Sequence, residues 1–70
     1  MEEYRLDRRR VKHELEQASK EIETALSRVV FVMREFEKYE KNDYAMFLQS
    51  VAEGIFYLNE ELKDFVARFI

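Results

Sequence analysis

The sequence predicts an all-α fold, an antiparallel two-helix hairpin of coiled-coil character. Three observations carry it. Apolar residues recur in alternating steps of three and four, the period of helices packed side by side. The stripe loses phase at one place, Lys41-Asn42-Asp43. The chain has no Pro and one Gly, so little else interrupts helix.

The first stripe runs through Val11, Leu15, Ala18, Ile22, Ala25, Val29, Val32, Phe36 and Tyr39. It predicts helix 1 over about residues 3–40. The step from Tyr39 to Tyr44 is five residues, which would swing a continuous helix's stripe off its face. A turn is therefore expected at 41–43. Asn42 tolerates the left-handed conformation that ends helices, and Asp43 is a good N-cap for the next. The second stripe, Tyr44, Leu48, Val51, Ile55, Leu58, Leu62, Phe65 and Phe69, predicts helix 2 over about 43–69.

Read in opposite directions, the two stripes mate. Phe36 meets Leu48, Val29 meets Ile55 and Ile22 meets Leu62. The small Ala25 and Ala18 meet the large Leu58 and Phe65, the volume compensation a packed seam needs. Residues 1–14 would overhang helix 2 by roughly four turns, with Tyr4 and Val11 on the stripe and Arg8 between them.

One hairpin domain, residues 1–70, offers a single seam, and so small a chain usually needs a staple. There is no Cys and one His. Disulfides, thiolate metal sites and a multi-histidine metal site within one chain are excluded, and no cofactor or metal is expected. Self-association remains, with two hairpins making a four-helix bundle. Apolar residues beyond the stripes support it. VVFVM at 29–33 is apolar all round, and Met46 and Phe47 add to helix 2. Leu26, Val30, Phe31, Met33, Phe47, Phe56, Tyr57, Val66 and Ile70 are the expected oligomer or partner interface. Gly54 beside the seam suggests close approach of another helix.

Charge marks a second candidate surface. Arg5, Arg8, Arg9, Arg10 and Lys12 cluster near the N-terminus, while the rest of the chain is acidic and the net charge is −3. A basic helix can enter a nucleic-acid groove, but this one is interleaved with Glu2, Glu3, Asp7 and Glu14, and no base-reading Asn or Gln lies in residues 1–16. Nucleic-acid binding is thus the alternative, carried by that basic patch.

His13-Glu14-Leu15, near the start of the longer helix, resembles the phospho-acceptor box of sensor histidine kinases. The resemblance implies an exposed phosphorylated His13 on helix 1 of a dimeric four-helix hairpin. It covers three residues. The family's Arg-Thr-Pro continuation is Glu16-Gln17-Ala18 here.

Other chemistry finds no support. Ser19, Thr24, Ser27 and Ser50 have no plausible His partner, and there is no Gly-rich phosphate loop. Acids pair with bases four residues on, as Glu16 with Lys20 and Asp64 with Arg68, the pattern of a solvated face. The expectation is a non-enzymatic protein-binding module: an adaptor, chaperone, assembly factor or small inhibitor. It binds itself and another protein. No apolar run approaches the ~20 residues of a membrane span. MEEYRLDRRR is charged with no apolar stretch behind it, so a cytoplasmic protein without a secretory leader is expected.

Overall fold

The computed structural model describes residues 6–69, the last by its backbone alone. Within them two helices pack against each other, α1 (Arg8–Lys38) and α2 (Asn42–Phe69). Ser19 bonds Asn59 near one end and the Phe36 ring meets the Tyr44 ring at the other, so the pair is antiparallel. This is the hairpin that the heptad phase predicts. No helix among the described residues is long and apolar enough to cross a membrane.

Helix α1 starts later than periodicity suggested. Asp7 is its N-cap, extended at φ −82° and ψ 97°, and the Arg10 N–H donates to Asp7 Oδ1 at 3.2 Å. A side-chain acceptor here satisfies one of the amides that a helix start leaves bare. With 31 residues in α1 and 28 in α2, the lengths are about 46 and 42 Å. The overhang is therefore about one turn among the described residues, not four. Tyr4 and the rest of residues 1–5 lie outside them.

The turn also differs in detail. Glu40, not Asn42, takes the left-handed conformation, at φ 62°. Glu40 N–H donates to Glu37 O at 3.1 Å, and Lys41 N–H donates to Phe36 O at 2.7 Å. These are the two bonds of a Schellman motif, which closes the carbonyl end of α1. Asn42 is already the first residue of α2. That assignment carries Ala45 onto the seam, where it is 5% exposed.

The seam itself is rotated by one residue at every second contact. Leu15, Ile22, Val29 and Phe36, with Leu48, Ile55 and Leu62, are half-buried as expected. Between them, however, α1 turns Ser19, Leu26 and Met33 inward, where Ala18, Ala25 and Val32 were expected. From α2 come Ala45, Ala52, Asn59 and Val66 instead of Tyr44, Val51, Leu58 and Phe65. The Ser19–Asn59 hydrogen bond joins the two helices across the seam. Small residues thus enter the seam from both helices, Ser19 from α1 and Ala45 and Ala52 from α2, beside the larger Leu26 and Met33. Leu26, Met33 and Val66 belong to this seam and Val30 is half-buried beside it. All four had been expected on a separate interface.

Candidate interaction surface

The seam leaves much apolar surface uncovered. No large side chain among the described residues is fully buried, and the buried apolar residues are Ala45 and Ala52. The stripe residues that the seam passed over are the reason. On α2 these are Tyr44, Leu58, Phe65 and the half-buried Val51, and Phe47 and Gly54 fall in heptad step with them. Leu58 is 66% exposed and Phe47 is 68% exposed. On α1 they run through the half-buried Ala18 to the exposed Ala25, Val32 and Tyr39, the last 70% exposed.

These two stripes lie on the same side of the hairpin. Each sits one residue N-terminal to the seam position of its own helix, a step of about 100°. Antiparallel helices are related by a twofold axis normal to their common plane, and that axis leaves each side of the plane on itself. Equal offsets therefore emerge on one side. The side is bounded by the Phe36–Tyr44 contact at the turn, with ring centroids 5.3 Å apart and planes at 53°. Gly54 lies within it, and a β-carbon there would meet nothing within 4 Å. Nothing inside the hairpin demands that glycine.

Toward the open end the opposite side is polar and tied together, while Val30, Met46 and Phe56 lie on it nearer the turn. Ser19 Oγ donates to Asn59 Oδ1 at 2.8 Å, and Asn59 Nδ2 donates to Glu23 Oε2 at 3.4 Å. Lys63 Nζ closes the chain on Glu23 at 2.7 Å and lies 3.6 Å from Glu60. Asn59 is 3% exposed, yet every polar atom buried here has a partner. The Lys63 ammonium, by its hydrogen bond and then its charge, holds the Glu23 carboxyl below its ordinary value. Reciprocally, the bond to Glu23 raises Lys63. Such a pair is locked as ions and does not shuttle protons near neutrality.

The remaining expected residues separate. Phe31 on α1 and Met46 and Tyr57 on α2 point away from the seam, each exposed among charged neighbours. Phe56 packs against Tyr57, with centroids 5.6 Å apart. Ile70 lies outside the described residues. Arg8, Arg9, Arg10 and Lys12 are exposed at the start of α1, while Arg5 is outside the described residues. Helical spacing keeps Arg8, Arg9 and Lys12 within about 100° of one another and turns Arg10 roughly 160–200° from Arg8 and Lys12. His13 is exposed and lines an open groove with Lys12, Glu16, Lys20 and Lys63. The hydroxyls of Thr24 and Ser27 donate to the carbonyls of Lys20 and Glu23, each at 3.1 Å. Among the described residues no group of three or more His, Cys, Asp or Glu is placed to hold a metal ion.

Sequence reasoning put Ala25, Val32, Tyr39, Tyr44, Leu58 and Phe65 inside the hairpin, where the structure exposes them, and put Phe47 outside it, where it is exposed. It missed Ser19 and Asn59 altogether. Their signal was present, since they fall on the alternative heptad, Leu15-Ser19-Ile22-Leu26 and Ile55-Asn59-Leu62-Val66. No family model, no curated protein and no solved structure matches this chain.

Proposed function

We propose that the chain is a non-enzymatic interaction module that self-associates through the apolar side of its hairpin and then presents its other surfaces to a partner protein. One observation carries the reading: eleven large apolar side chains among the described residues stay exposed, and the only apolar residues among them that are buried are Ala45 and Ala52. Burying one large apolar side chain stabilises by about 1.5–3 kcal/mol. Several on one face therefore make a strong drive to associate, and exposing them in water is unusual for a soluble monomer. Adaptors, chaperones and assembly factors are the functional classes that suit such a module. After self-association, Phe31, Met46 and Tyr57 are still available to a different protein.

Light scattering coupled to size exclusion tests the reading, from low micromolar to near-millimolar chain. The expected result is a discrete dimer, or a larger closed oligomer, across that range. A monomer throughout would overturn it.

A further inference from the structure

The apolar side carries a more specific inference, which rests on the self-association reading. We propose that its occupant is a second copy of this chain, docked about a twofold axis parallel to the helices. Both turns then lie at the same end, and α1 of each copy lies on α2 of the other.

Area argues for a second copy. Tyr39, Tyr44, Phe47 and Phe65 are 70%, 58%, 68% and 45% exposed. At roughly 200 Å² per aromatic side chain they offer about 480 Å². That is more than half of the ~800 Å² each partner contributes to a standard interface, before Leu58 and Val32 are counted. On α2 the steps of three and four from Tyr44 to Leu58 are what knobs-into-holes packing against a further helix requires, and on α1 one residue per heptad from Ala18 to Tyr39 faces the same way, with Glu21, Arg28 and Glu35 between.

Shape argues for the orientation. On this side α1 is small in its first half, with Ala18 and Ala25, whereas α2 is large, with Leu58 and Phe65. A twofold axis along the hairpin keeps every residue at its own height. Glu23 reaches both Asn59 and Lys63, so Ala25 and Leu58 lie within about one turn of each other in height. Ala25 of one copy then receives Leu58 of the other, and Ala18 receives Phe65. The reverse orientation would stack α2 on α2, large on large, and α1 on α1, small on small. That leaves overpacking along one ridge and voids along the other. Open space over Gly54 admits the crossing helix.

The chain has no cysteine, so a single spin label can be placed at the turn through Lys41→Cys, an exposed residue between the helices. Electron–electron double resonance on the full chain, at a concentration where scattering shows dimer, reads the label separation. Neighbouring turns at ~10 Å helix spacing, plus the label arms, give a distance below about 30 Å. A dimer with labels more than about 40 Å apart, the length of α2, would overturn the orientation and leave self-association standing. A monomer by scattering would overturn both. Two further variants locate the face, with circular dichroism confirming helix content. Leu58→Asp is expected to weaken dimerisation at least about 100-fold, because it puts a charge in the interface. Tyr57→Asp, on the next residue but the outer side, is expected to change it less than about threefold. Dissociation by Tyr57→Asp with Leu58→Asp still dimeric would overturn the face.

Discussion

Glu40 holds a conformation that costs a side-chain-bearing residue about 1–2 kcal/mol. It does so at φ 62° because the two amides after the last turn of α1 must reach the Glu37 and Phe36 carbonyls. Glycine adopts that conformation freely, at some expense in unfolded-chain entropy. Glu40→Gly is therefore expected to stabilise the hairpin by about 0.5–1 kcal/mol, read from urea midpoints at matched protein concentration. The Glu23–Lys63 pair predicts a pH dependence with a definite sign. Glu23 is lowered on folding, so its contribution is complete above the ordinary value of 4.5 and disappears as pH falls through the lowered one. Lys63 is raised, so its contribution is complete below 10.5 and disappears as pH rises through the raised value. Both groups are solvent-screened, and the effect is small. Thermal melts between pH 2 and 7 should lose stability toward acid, and Glu23→Gln should flatten that part of the slope.

Each helix of this hairpin carries two heptads that share every other position. Leu15, Ile22, Val29 and Phe36 belong to both, as do Leu48, Ile55 and Leu62. Such shared positions made the fold class, the turn and half the seam readable from sequence. The choice between Ala18-Ala25-Val32 and Ser19-Leu26-Met33 was not readable by apolar pattern. Polarity marks Ser19 and Asn59 as solvent-facing residues, yet each removes the other's desolvation penalty, and the buried Ala45 and Ala52 let the helices close. The candidate surface was legible as an excess of apolar residues and misplaced by the same ambiguity. A double-mutant cycle tests the polar pair. Ser19→Ala leaves Asn59 Oδ1 without its donor and should cost about 1–3 kcal/mol. Ser19→Ala with Asn59→Leu should be near neutral or stabilising, with favourable coupling between the changes. The double variant should also populate mixed assembly states in scattering, because buried polar pairs specify register.

At the level of the whole molecule, Gly54 links the hairpin to its assembly. In an isolated chain Gly54→Ala should raise helix stability by about 1 kcal/mol, since the β-carbon meets nothing. Where a second helix crosses there, the same change should weaken association severalfold. Melting at low concentration and sedimentation at high concentration separate the two effects, which have opposite signs. The position of the Ser19–Asn59 bond also sets an order of events in folding. Its partners are 40 residues apart in sequence, toward the open end, whereas the Schellman bonds at the turn span only a few residues. Loop-closure entropy favours the short span first. The chain should close from the turn outward like a zipper, with Ser19 and Asn59 meeting late. Opened in reverse, the amides flanking Arg8 and Arg68 should exchange with solvent long before those around Met33 and Ala45.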